Sequence, residues 1–129
     1  KIWKGNLYLV TDGNKIVQKN KVNSLSIDKF FKKIFITHSY GLKYSKPSPY
    51  CFNLIRKLEK CRWEDLIYVG DNPAKDFVTL NKFGATTIRV LTGEYRLDYP
   101  KHTYDAKFKI NNLSQLEQLL NKVSLRKGG

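Results

Sequence analysis

Leu66-Ile67-Tyr68-Val69-Gly70-Asp71-Asn72-Pro73-Ala74-Lys75-Asp76 is the stretch whose reading decides the fold. Its first five residues are apolar up to a glycine, a run too short for a helix and suited to a buried strand. The next six change character abruptly. Asp71 falls at the strand tip, Asn72 can open a helix, and Pro73 can stand at that helix's first position. Strand, polar tip and helix in that order form one unit of a parallel sheet. The rhythm recurs along the chain, with apolar runs at Leu7–Thr11, Ile34–His38, Thr86–Val90 and, more weakly, Ala106–Ile110. The best marked helix runs from Pro49 to Lys60. There Cys51, Leu54, Ile55 and Leu58 follow the i, i+3, i+4, i+7 pattern, and Ser48 stands as the cap. A second helix is expected from Pro73 to Phe83, closed by Gly84. A last one is expected from Ser114, with Glu117 completing a capping box and Leu116, Leu119, Leu120 and Val123 facing inward. Lys15–Ser24 gives a weaker helical pattern, and Thr92–His102 reads as a surface loop.

The chain has 129 residues, 41% hydrophobic and 27% charged, which suits one domain over 1–129 and argues against disorder and fibrous repeats. Its apolar runs are far shorter than a bilayer span, and the first residues lead into no signal-like apolar region. The expectation is a soluble, cytoplasmic protein with no membrane partner. Residues 124–129 read as a frayed tail. The formal charge of +13 would suit nucleic acid, a membrane surface or anionic small molecules. The lysines are scattered, and no aromatic and basic nucleic-acid signature accompanies them, so a solvated surface is preferred to a nucleic-acid face. Cys51 and Cys61 have no CxxC or Cys/His companions and are expected to be reduced, structural thiols.

Ligands of open α/β sheets bind beyond the carboxyl ends of the strands, and three polar groups fall there. Thr11-Asp12-Gly13-Asn14 offers a hydroxyl and turn amides that could hold a tetrahedral anion, or could simply cap a helix and turn the chain. Asp71 at its strand tip suits Mg²⁺, which takes one or two carboxylates and keeps several waters. Asp76 better orients a neighbour than binds metal, unless both acids merely serve the turn and the helix dipole. Lys46, restrained by the proline that follows it, could neutralise a transferring phosphoryl group or could be one more surface lysine.

In this order and spacing the segments resemble the haloacid dehalogenase-like (HAD-like) hydrolase superfamily. Leu7–Gly13 is similar to its second motif, Lys46-Pro47 with Pro49 to its third, and Gly70–Asp76 to its fourth in the GDxxxxD form. Ala106–Leu120 looks like the end of such a domain. The resemblance implies a Rossmann-like three-layer α/β/α fold with a mainly parallel sheet. It also implies a phosphorylated small-molecule substrate, with Thr11, Asp12, Gly13 and Lys46 at the phosphate. Lys46 and Asp76 would be catalytic, and Asp71 would be the Mg²⁺ ligand. Asp12 stands where the family often carries Asn, so its carboxylate is expected to point away from the anion.

The family's first motif, DxDx[T/V], carries the aspartate nucleophile, and no Asp-x-Asp occurs anywhere in this chain. The resemblance therefore implies an incomplete HAD-like core lacking its first strand, with residues 1–5 as a remnant of a cap connection. The expected function is the C-terminal part of a phosphohydrolase, inactive by itself because no covalent aspartyl-phosphate can form. The absent strand would leave two open sheet edges, which either pair directly or drive self-association. The alternative function is a non-catalytic phosphate- or nucleic-acid-binding module using the basic surface. A receiver-like signalling domain fits less well, since no acidic pair follows the first strand.

Overall fold

The fold is given by a computed structural model that describes residues 6–12, 32–116 and 118–119. The expectations for residues 1–5, Lys15–Ser24, Leu120, Val123 and 124–129 lie outside the described residues. The chain divides into two compact units, one over Asn6–Leu66 and one from Ile67 onward.

In the first unit, β1 (Tyr8–Thr11) and β2 (Lys33–Ile36) pair in parallel, with Tyr8 opposite Lys33 and Thr11 opposite Ile36. The sequence pattern carries the second strand on to His38, but Thr37–Ser39 winds instead into a 3-10 turn. α1 spans Tyr50–Glu59 and packs on β1. Pro49 takes the capping position, one residue later than expected, and Ser48 Oγ accepts the Tyr50 N–H at 3.3 Å. The buried face also differs from the expected stripe: Cys51, Phe52 and Ile55 are buried, while Leu58 is 51% exposed. The reason lies at the end of the helix. Glu59, on the same face as Cys51 and Ile55, accepts hydrogen bonds from the Tyr8 hydroxyl, Asn6 Nδ2 (3.0 Å) and Lys32 Nζ (2.9 Å). That register carries Leu58 outward and Phe52 inward. Val10, Phe35 and Ile36 supply the buried side chains of the two strands, each worth roughly 1.5–3 kcal/mol of apolar burial.

The second unit is a parallel sheet in the order β3 (Ile67–Gly70), β4 (Thr86–Val90), β5 (Phe108–Ile110). All five residues of the central β4 are buried, as its two-sided pairing requires, whereas β3 is half-buried throughout. Each strand forms close to its expected place. The helix after β3 does not. α2 covers only Val78–Phe83, since the segment expected to open it folds into a turn in which the Lys75 and Asp76 N–H groups bond the Asn72 carbonyl. Gly84 closes α2 in the left-handed region at φ 95°, where a residue without Cβ is least strained. The expected cap at Ser114 is displaced to Asn112, whose Oδ1 accepts the Ser114 N–H at 3.0 Å ahead of a 3-10 turn over Leu113–Gln115. Asn and Ser cap about equally well, and here it is the Asn112 carbonyl that reaches the second N–H of the turn. Leu116 and Leu119 pack on the buried cluster of Ile88, Val90 and Ile110.

Among the described residues β1 has β2 as its ladder partner and β3 has β4.

The hydrogen bonds from Tyr8, Lys32 and Asn6 hold the Glu59 carboxyl at about 2, well below the usual carboxylate range. A group depressed in the folded state stabilises above its unfolded value and loses that contribution as pH falls through the folded one. Between pH 5 and pH 2 the urea midpoint of the wild-type chain is therefore expected to fall more steeply than that of Glu59→Gln. The variant starts lower at neutral pH, and the two curves converge near pH 2.

Candidate active site

Parallel pairing of β1 with β2 places the residues that follow the two strands side by side. Asp12, immediately after β1, accepts a hydrogen bond at Oδ1 from Thr37 Oγ1 at 2.6 Å and a second from the Lys46 backbone N–H at 3.0 Å. Thr37 is 1% exposed, so its hydroxyl is committed to the carboxylate and the contact is shielded from water. One oxygen of Asp12 thus ties the strand tip, the turn after β2 and the loop carrying Lys46. Lys46 is half-buried and its peptide bond to Pro47 is cis. Thr11 Oγ1 donates to the Asp12 carbonyl at 3.3 Å. Gly13 lies outside the described residues. His38 sits half-buried in the turn after β2. Burial, with the Asp12 carboxylate nearby, pushes the Cys51 thiol up to about 11, so it stays protonated at physiological pH.

The tip of β3 is built in the second unit. Asp76 is buried, and its Oδ2 accepts the Asp71 N–H at 3.1 Å and the Asn72 N–H at 2.9 Å, while the Tyr68 hydroxyl donates to its Oδ1 at 3.4 Å. The carboxylate folds back on the strand end and fixes the peptide that carries Asp71. Asn72 Oδ1 accepts the Ala74 N–H at 3.0 Å, which closes the turn from the other side. Gly70 is what allows this approach. A methyl group on its Cα would lie 2.6 Å from Asp76 Oδ2 and 2.9 Å from the Tyr68 ring. Asp71 itself is exposed, and a methyl group on Gly93 of the loop after β4 would lie 3.8 Å from its Oδ2.

The structure brings Asp12, Thr37 and Lys46 together in one unit and Gly70, Asp71 and Asp76 in the other. Among the described residues no three His, Cys, Asp or Glu side chains gather as a metal cage. A single exposed carboxylate on a rigid peptide fits a hard cation that keeps most of its waters, as Mg²⁺ does, and does not fit a dedicated zinc or calcium site. Two residues went unremarked in the sequence, Thr37 and Arg89. Thr37 gives no signal in a run of apolar and polar residues, but Arg89 does: a charge inside the otherwise uncharged strand Thr86–Val90 is buried if the strand is.

The model of the family described as haloacid dehalogenase-like hydrolase matches residues 4–90. This chain belongs to that family. Among curated relatives of this HAD-like chain, the glyceraldehyde 3-phosphate phosphatase of Methanocaldococcus jannaschii is 31% identical over 117 residues, covering 91% of this chain and 50% of the relative. That of Pyrococcus furiosus is 33% identical over 115 residues, covering 88% and 47%. The chain thus spans about half the length of these relatives. The solved HAD-hydrolase YfnB of Bacillus subtilis, bound to magnesium, superposes with a TM-score of 0.76 at 23% identity over 90% of this chain and 49% of that one. A HAD phosphatase from Thermococcus onnurineus gives 0.72 at 21% identity, over 89% and 50%. These structures share the α/β fold and the parallel sheets of the HAD-like core.

Gly70→Ala is expected to push the Asp76 carboxylate off the Asp71 and Asn72 amides. Crowding of this kind costs about 1–3 kcal/mol, measurable as a lowered urea midpoint. Backbone NMR shifts of Asp71 and Asn72 should move with it, while those of the β1–β2 unit stay in place.

Proposed function

We propose that this HAD-like chain is the C-terminal part of a Mg²⁺-dependent phosphohydrolase acting on a small phosphomonoester. What carries the reading is the identity of 31–33% to glyceraldehyde 3-phosphate phosphatases over about nine-tenths of the chain, together with Thr11, Lys46 and Asp71 standing in the family's motifs. A small phosphorylated aldehyde of that kind is the first substrate to test. Asp71 would hold the metal. Bound Mg²⁺ supplies charge neutralisation at a phosphoryl oxygen. Thr11 would hydrogen-bond the phosphate, with Gly13 and the turn amides beside it, and the Lys46 ammonium would offset charge on the phosphoryl group and on an attacking carboxylate. Asp76 supports Asp71 through the two amides, and Asp12 supports Lys46 through its backbone. The attacking aspartate must come from an Asp-x-Asp outside this sequence.

The test is turnover of glyceraldehyde 3-phosphate and p-nitrophenyl phosphate with Mg²⁺. The chain is compared with the same chain extended upstream through the encoded segment. Turnover is expected in the extended form only. Asp71→Ala should abolish it, and Lys46→Ala should lower kcat by about 10²–10³-fold, the scale of a lost electrostatic contact at a developing charge. No turnover in either form would overturn the phosphatase reading, and turnover by the chain alone would overturn its dependence on an external nucleophile.

Among the described residues β1 and β3 each have one ladder partner, which supports a companion proposal, that the isolated chain self-associates by strand addition. Light scattering behind size exclusion should give a mass above 15.1 kDa, and a monomer at all concentrations would dismiss the idea.

A further inference from the structure

Arg89 lies in the central strand β4 and is 2% exposed. Burying a guanidinium is costly unless its donors are met. Here the donors reach away from the strand and into the loop that follows it. Nη2 donates to the carbonyls of Tyr95 and Asp98, both at 2.9 Å, and Nη1 stands 3.5 Å from Asp105 Oδ1. Nε is buried with no hydrogen-bond partner among the described residues. A cation left partly unsatisfied in a buried strand is a poor device for stability alone.

The anchor behind it is well made. Burial pushes the Asp105 carboxyl up, but Lys109 at 2.9 Å, the Ala106 N–H and Arg89 outweigh that and hold it below the usual carboxylate range. The loop in front is cinched at two carbonyls three residues apart. Within it Asp98 N–H bonds the Tyr95 carbonyl at 3.1 Å, and Arg96 Nη1 bonds the Gly93 carbonyl at 2.9 Å. Gly93, at φ 77°, brings this loop near Asp71, since a methyl group built on it would come within 3.8 Å of Asp71 Oδ2.

We propose that Arg89 is a positioning residue: through the Tyr95 and Asp98 carbonyls it sets the Gly93–Asp98 loop against the Asp71 carboxylate, and so shapes the space in which that carboxylate takes a cation. The proposal rests on the reading of Asp71 as the Mg²⁺ ligand. It goes further in assigning control of that ligand to a buried side chain on the neighbouring strand. Charge alone does not satisfy the role, because one nitrogen, Nη2, held in place by the planar guanidinium, donates to both carbonyls.

The experiment uses the full chain as wild type, Arg89→Met and Arg89→Lys. Amide hydrogen exchange reads the loop, the Asp71 backbone resonance reads its contact, and calorimetric titration with MgCl₂ reads cation uptake. In Arg89→Met, exchange of Gly93–Asp98 should rise at least tenfold while the β3–β4 ladder stays protected. The Asp71 resonance should shift, and Mg²⁺ affinity should fall about tenfold. Arg89→Lys should recover only part of each change, and it carries the test if the Met variant does not fold. Unchanged loop exchange in the folded variants overturns the proposal. So does a loosened loop with the Asp71 resonance and Mg²⁺ affinity unmoved, or a loss of protection spread evenly over the whole unit. If the wild-type chain takes up no Mg²⁺, the metal-ligand reading fails by itself, and the exchange and resonance arms then decide whether Arg89 sets the loop against Asp71.

Discussion

A parallel ladder sends every strand tip to the same end of its sheet, and the chemistry of this chain follows from that constraint. Antiparallel strands would alternate tips and starts along an edge and scatter the polar residues. Here the tip of β1 stands beside the turn after β2, so Asp12 meets Thr37. The tip of β3 stands beside the end of β4, so Asp71 lies by the loop that Arg89 restrains. Neither arrangement needs residues close in sequence. Each needs only that two short strands pair in register.

Both units then solve the same problem in the same way. A strand tip is a place where backbone amides lose their ladder partners, and a carboxylate is the strongest acceptor available to gather them. Asp12 takes the Lys46 amide, and Asp76 takes those of Asp71 and Asn72. In the second unit the acid, Asp76, is buried and fixes the peptide of Asp71, which is exposed. In both units a strand-tip carboxylate thereby fixes the backbone of a residue that stands in a family motif.

The order of strands, the polar tips and the departure at Asp12 were legible in the sequence, because period, length and residue type speak directly to burial and turn formation. The errors share a cause. The helix expected from Pro73 begins only at Val78, since Asp76 binds amides behind it instead of sitting in a helical turn. The stripe of α1 is rotated by Glu59, whose partners Tyr8 and Lys32 lie 51 and 27 residues away. The last cap moves from Ser114 to Asn112 because two good capping residues compete two positions apart. Side-chain bonds overrode helical preference each time, those of Glu59 from distant residues and those of Asp76 and Asn112 from within five, and no helical pattern encodes them. Thr37 was invisible for the same reason, whereas Arg89 was readable from its place in a strand that has to be buried.

The bonds made by Asp12 have a bearing on how this position can change over time. Two donors to it, a hydroxyl and a backbone amide, bond one carboxylate oxygen, and an asparagine carbonyl could take both in the same geometry. An exchange between Asp and Asn therefore keeps these two bonds, while it adds or removes a full negative charge beside the loop that carries Lys46. A lineage can change the charge at this strand tip by one unit while keeping both of these bonds in place.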